Sequence, residues 1–328
     1  MHKTPSTSIS RRTNLRFFCL LLSLSTISYA QAPFSQMELT INEFISGTLI
    51  LPTENENPDI VVLIQGSGPT DRDGNQPFLR NDSLKKLALA LGQKGIASFR
   101  FDKRIAAVQR LNLKEEDMRF DDFVTDAQSV LSFIKENVSH NNLIVIGHSQ
   151  GSLVGMLAAK NNADAFVSVA GAGQPIDSII VDQLKLQMPG LDEIASNAFT
   201  ELRKEGQITD VNPYLTSILR PQIQAFMLSW MRYDPSQEIQ KLQIPILILS
   251  GTRDLQVSVQ EGRLLHRAVP ASILMELEDM NHILTAVGDD PLENQKSYNE
   301  PIRPLHPDLV PVITDFINDL SQESRQEN

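Results

Sequence analysis

Ser149, Asp254 and His282 are the residues whose types and spacing can do chemistry together. Ser149 stands in Gly147-His148-Ser149-Gln150-Gly151, a Gly-x-Ser-x-Gly pattern with an apolar run before it and a helix-like segment after it. A serine on a sharp strand-to-helix turn has strained backbone angles, so its neighbours must lack a Cβ where chains crowd. The hydroxyl then projects above the sheet, and the N-terminus of the helix faces any oxyanion that develops. Such a serine needs a base, and the base needs an acid to orient it. In the chain order Ser, Asp, His, the stretch "IPILILSGTRD" places Asp254 just past one apolar run, and "SILMELEDMNH" places His282 just past the next. The chemistry would be nucleophilic attack on a carbonyl, passing through an acyl-enzyme.

The alternatives along the chain are weaker by position. His140 precedes a strand, at the wrong edge; His148 sits inside the turn; His266 lies in a helix; His306 lies in a proline-flanked segment. Asp279 is close to His282 in sequence, but it closes the strand that leads to the histidine loop, so Asp254 is the expected acid. An oxyanion would need two backbone donors. The N–H of Gln150, directly after the serine, is one; the N–H of Ser67, between Gly66 and Gly68, is the other.

Elements that could position these residues are legible. Short apolar runs "GTLILP" (47–52), "DIVVLIQG" (59–66), "GIASFRFD" (95–102), "LIVIGHS" (143–149), "AFVSVAG" (165–171), "IPILILSG" (244–251) and "SILMELE" (272–278) read as strands. Several lack alternation, as parallel strands covered on both faces do. Helical patterns fall between them; one, carrying Phe123, Ala127, Val130, Leu131 and Ile134, starts behind an expected cap at Asp121. An α/β domain with a mostly parallel central sheet flanked by helices is therefore expected. Residues 174–241 contain no strand-like run, which predicts a helical cap inserted late in the sheet. From that cap, Phe226, Met227, Trp230 and Met231 could line a substrate pocket or simply pack the cap on the body. The last helix is expected over 308–320, with the polar tail "SQESRQEN" frayed.

Composition narrows the class. The formal charge of −11 lacks the basic stripe that a nucleic-acid surface requires. No HExxH and no clustered His/Asp set occurs, so neither metal nor cofactor is implied. Residues 1–30 read as a signal peptide: Lys3, Arg11, Arg12 and Arg16 precede an apolar run, and Ser28-Tyr29-Ala30 fits a cleavage site. The run is too short for a stable membrane span. Cleavage would leave residues 31–328, exported to the periplasm or beyond, and would remove Cys19, the only cysteine. The segment around Arg11-Arg12 is similar to a twin-arginine signal, and both export routes stay open.

Taken together, "LIQGSGPTDRDGNQP" (63–77), "FRFDKR" (99–104), "GHSQG" (147–151), "WMRYDP" (230–235), "ILSGTRDLQV" (248–257) and "MNHIL" (280–284) resemble the α/β-hydrolase superfamily. The likeness is to exported bacterial serine esterases that carry GSGPxDRDGN after an early strand, and it runs over nearly the whole mature chain. It implies Ser149 as nucleophile, Asp254 as acid and His282 as base, with a cap at 174–241 and a small-molecule ester as substrate. One departure stands out: relatives continue after FDKR with a glycine-rich turn, whereas this chain reads Ile105-Ala106-Ala107-Val108. A serine peptidase or amidase on the same triad is the alternative; an inactive binding protein on the same fold is a second.

Overall fold

Eight strands form a single sheet in the computed structural model, which describes residues 1–2 and 33–326. The expected signal peptide and Cys19 therefore lie outside the described residues, save for Met1 and His2. In chain order the strands are β1 (Phe34–Thr40), β2 (Ser46–Pro52), β3 (Ile60–Ile64), β4 (Ala97–Phe101), β5 (Leu143–His148), β6 (Ala165–Val169), β7 (Ile246–Gly251) and β8 (Ile273–Leu277). Their spatial order is β1-β2-β4-β3-β5-β6-β7-β8. β1 and β2 are antiparallel to their neighbours, and every pairing from β4 through β8 is parallel.

The unbroken apolar runs have a simple cause. In β3, Ile60, Val62 and Ile64 face one buried cluster with the helices Phe120–Asn137 and Gln150–Ala159; Val61 and Leu63 face another with the helices Ser83–Gln93 and Leu309–Gln326. Side chains alternate between faces, and both faces are covered, so no polar position remains to mark the period. Burying each large aliphatic side chain contributes roughly 1.5–3 kcal/mol before entropy is counted. Because β3 to β8 run parallel, their carboxyl ends lie along one edge, and the turns after β3, β4, β5, β7 and β8 meet there.

Between β6 and β7 the chain forms helices Ile176–Gln187, Leu191–Glu205, Thr216–Leu219, Pro221–Trp230 and Pro235–Ile239. The first four share a core of their own, built on Leu191, Ala195, Phe199, Leu202, Leu215, Leu219, Met227 and Met231, whereas Ile239 of the fifth joins the core of the body.

Two expectations are corrected and one strand is added. β1 was not foreseen. Asp121 does not cap the helix at 120–137: the cap is Arg119, two residues earlier, the Arg119 N–H donates to Asp122 Oδ2 (2.7 Å), and Asp121 Oδ1 instead accepts from Tyr233 Oη. The final helix does not end at Leu320 but continues to Gln326, so most of the polar tail is helical rather than frayed.

Candidate active site

The turn after β5 holds Ser149 at φ 55° and ψ −121°, outside the conformations open to an L-residue at low energy. A residue so held costs about 1–3 kcal/mol and persists only where its surroundings over-determine it. Here they do. A Cβ on Gly147 would lie 2.2 Å from the Gly151 carbonyl oxygen, and one on Gly151 would lie 2.2 Å from that of Ile64. Only glycine at both positions lets β5, β3 and the helix Gln150–Ala159 approach this closely. The Ser149 N–H donates to the Val169 carbonyl (2.9 Å), pinning the turn to β6.

Asp254 and His282, drawn from the loops after β7 and β8, meet: His282 Nδ1–H donates to Asp254 Oδ2 at 2.7 Å. Both side chains are almost wholly buried, at 6% and 1% exposure for His282 and Asp254. The other carboxylate oxygen, Oδ1, accepts from the N–H groups of Gln256 (2.7 Å) and Val257 (2.9 Å). The Asp254 carboxylate can only accept, so this bond places the His282 proton on Nδ1 and leaves Nε2 with its lone pair. Asp279 sits apart: its Oδ1 accepts from Arg253 Nε (3.0 Å) on a half-exposed surface.

Sequence reasoning passed over two buried residues. His148 Nε2–H donates to the backbone carbonyl of His282 (2.8 Å), and the two rings lie 4.9 Å apart. Burial pushes His148 down to about 3, so it is neutral and serves as a strut between the serine turn and the histidine loop. Lys103, in the turn after β4, is also buried; its Nζ donates to the Gly66 carbonyl, the Gly68 carbonyl (3.2 Å) and Gln150 Oε1 (3.2 Å). Burial lowers its pKa to about 7. Both act on main-chain carbonyls, which leave no mark in a sequence. His140, His266 and His306 are engaged elsewhere, with Val138 O, Ser272 Oγ and Glu278 O respectively.

The loop that carries Ser67 is held from several sides. Thr70 Oγ1 (2.6 Å) and Gln76 Nε2 (3.1 Å) donate to the Ser67 carbonyl. Arg72 forms a fork on Asp102 (2.9 and 2.6 Å), and Arg100 Nε donates to Asp73 Oδ1 (2.8 Å). The segment that departs from the glycine-rich turn of its relatives is a 3-10 turn, Arg104–Ala107, leading into the short helix Val108–Leu111; its Ile105 reaches the cavity described next.

A cavity of about 440 Å³ opens beside Ser149. Ser67 and Gln150 stand in its wall, and Phe226, Met227 and Trp230 line it from the inserted helices. Met231 does not; it is buried within the core of the insertion. Trp230 also packs on the body, its ring stacked on Phe120 at 5.4 Å. The charged wall residues are Glu115 and Arg220, which pair with each other. Among the described residues no group of three or more His, Cys, Asp or Glu is placed to hold a metal ion, and no helix is long and apolar enough to cross a membrane.

Comparison with known proteins places this geometry. The family model described as serine aminopeptidase, S33 (Hydrolase_4) matches residues 82–284, more than half of the chain. Esterase EstD of Thermotoga maritima is 27% identical over 258 residues, which cover 76% of this chain; the chain spans only 60% of the length of that relative. Among solved structures, Est1E from Butyrivibrio proteoclasticus superposes with a TM-score of 0.56 at 15% identity, over 88% of this chain and 99% of its own. A dienelactone hydrolase from Anabaena variabilis gives 0.50 at 13% identity, over 88% and 98%. At such identities the likeness speaks for the fold, which is that of the α/β-hydrolases.

Proposed function

From the premise that the chain belongs to the serine aminopeptidase S33 family, we propose that it hydrolyses carboxylic esters of small or short acyl groups. Ser149 Oγ attacks the ester carbonyl while His282 Nε2 takes its proton; Asp254 holds the imidazole in that tautomer and stabilises the imidazolium. The oxyanion receives the N–H groups of Ser67 and Gln150. The proton then passes from His282 to the leaving alcohol, and water, activated by the same nitrogen, releases the acid from the acyl-enzyme. Residues 174–241 act as the cap over the acyl group. The observation that carries the reading is the buried Asp254–His282 hydrogen bond at the sheet edge that bears the strained Ser149.

The family description also favours a second reading, cleavage of an N-terminal amino acid. Such a substrate brings an ammonium that must meet an uncompensated carboxylate. Among the described residues the cavity wall offers one acid, Glu115, and Arg220 already neutralises it. The rest of the wall is largely apolar, which suits a neutral acyl group better, and the match to an esterase points the same way. A panel of p-nitrophenyl esters of increasing acyl length, run beside aminoacyl p-nitroanilides, decides. Ester turnover that is abolished by a fluorophosphonate bound at Ser149 is expected; preference for the anilides would install the peptidase reading.

We also propose export, with residues 1–30 removed as a signal peptide; the positive flank and small-x-small site of that stretch support it.

A further inference from the structure

Lys103 presents a chemical oddity that the proposed mechanism does not use. Its side chain is 5% exposed and its Nζ donates to three neutral acceptors: the carbonyls of Gly66 and Gly68 and the side-chain oxygen of Gln150. Among the described residues no carboxylate pairs with it. The nearby Asp126 is taken by the guanidinium of Arg104 through two bonds of 2.7 Å. The face of Phe123 lies 5.2 Å from Nζ. A loop tether would not need such an arrangement, since an amide ties carbonyls without the cost of desolvating a cation.

The identity of the acceptors suggests what the cation is for. The Gly66 carbonyl and the Ser67 N–H are the two ends of one peptide group. Charge drawn onto the carbonyl oxygen makes the N–H at the other end a stronger donor, as chains of hydrogen bonds polarise one another. The third acceptor belongs to Gln150, whose own N–H is the other proposed oxyanion donor. One ammonium therefore bonds the peptide group that carries the Ser67 N–H and the side chain of Gln150, so it acts on both residues that would hold the oxyanion. We propose that Lys103 is a positioning residue for the oxyanion site, which orients and polarises the Gly66–Ser67 peptide and fixes Gln150. The inference rests on the serine-hydrolase reading above. A positive charge without a carboxylate partner in a dry site favours the state in which negative charge appears beside it, and that state in turn favours the protonated lysine. Its effect is thus on the tetrahedral species rather than on the bound ester.

The neighbouring residues of the FDKR motif have their own partners. Asp102 grips Arg72 from the GSGPTDRDGN segment, and Arg104 occupies Asp126. Lys103 is thereby left as the uncompensated charge of the three.

The test compares wild type with Lys103→Met, which keeps an unbranched chain and removes both donor and charge. One short-chain p-nitrophenyl ester gives kcat and KM, and a trifluoromethyl ketone, which adds to Ser149 as an oxyanion, gives the affinity for the tetrahedral state. Removing a direct oxyanion donor costs about 10²–10³ in kcat, so a group acting through one should cost about tenfold to a hundredfold. We expect kcat to fall by that factor with KM within twofold, and ketone affinity to fall by the same factor. A merely structural lysine would not produce matched losses. Unchanged ketone affinity, or a loss carried by KM, would overturn the inference. If Lys103→Met does not fold, Lys103→Gln, which keeps a neutral donor in place, is read by the same two numbers. Fluorophosphonate labelling separates the two ideas: a wild type that neither labels at Ser149 nor turns over esters sinks the esterase reading itself.

Discussion

Replacing Asp254 by asparagine changes one atom and should nearly abolish activity, for a reason set by three hydrogen bonds. Asp254 Oδ1 accepts from two backbone N–H groups, Gln256 at 2.7 Å and Val257 at 2.9 Å, while Oδ2 accepts from His282 Nδ1 at 2.7 Å. An asparagine must turn its single oxygen one way. Turned toward the imidazole, it sets an NH₂ against two N–H donors in a site that is 1% exposed, losing two hydrogen bonds with no water to replace them. Turned toward the backbone, it keeps those bonds and presents NH₂ to His282. Nδ1 must then accept, and the proton moves to Nε2, the nitrogen that has to be free to take the serine proton. The second arrangement is the cheaper, so the folded variant holds the wrong tautomer. A loss of about 10⁴ in kcat is expected, equivalent to about 5.5 kcal/mol of barrier. Asp279→Asn serves as the comparison: it loses a surface contact to Arg253 and should stay within about tenfold of wild type, because it leaves the geometry of Ser149 and His282 alone. Both are assayed on one short-chain p-nitrophenyl ester after circular dichroism shows a native fold. If Asp279→Asn is the crippled variant and Asp254→Asn keeps a tenth of the wild-type rate, Asp254 is not the acid.

Further outcomes are open to measurement. Ser149→Ala should lower kcat by about 10⁴- to 10⁶-fold without lowering the melting temperature, since it removes the proposed nucleophile and nothing that packs; a tenth of the wild-type rate would exclude Ser149. Gly151→Ala should fail to fold or melt far lower, because its Cβ meets the Ile64 carbonyl at 2.2 Å; a normal melting curve would contradict the close approach. His148 is held neutral, with its pKa lowered to about 3 by burial, so the unfolded chain binds its proton first as pH falls below 6.5. Its contribution is present above pH 6.5 and is lost by about 1.4 kcal/mol per pH unit between there and pH 3. Denaturant midpoints should therefore drop less steeply with acid in His148→Gln than in wild type, and equal slopes would refute this. Intact-mass analysis of envelope material should find an N-terminus at Gln31; a mass that still includes residues 1–30 would defeat the signal-peptide reading.

How far the sequence could be read depended on which atoms do the work. The strands β3 to β7 are buried on both faces and stand out as apolar runs, and the turn at Gly147 to Gly151 is spelled by the only residues that fit there. β1, "FSQMELT", covers the outer edge of the sheet with most of its residues exposed, so no hydrophobic pattern marks it. Asp121 looked like a cap because caps are usually acidic or hydroxylic, but Asp122 lies where its carboxylate can reach back to the Arg119 N–H. Asp254 and His282 could be placed by element order alone, since parallel strands deliver their following loops to one edge. Lys103 and His148 could not, because each acts on backbone carbonyls of loops distant in sequence.

The stacking of Trp230 on Phe120 has a practical consequence, because Trp230 is the only tryptophan in the chain. Its indole forms part of the cavity wall and at the same time touches the helix Phe120–Asn137 of the body. Tryptophan emission, excited at the red edge where tyrosine does not absorb, thus comes from a single spot, where the inserted helices, the sheet domain and the cavity converge. A shift in that emission on adding a non-hydrolysable ligand would report occupancy of the cavity. The chain carries its own optical reporter, with no label to attach and no second indole to subtract.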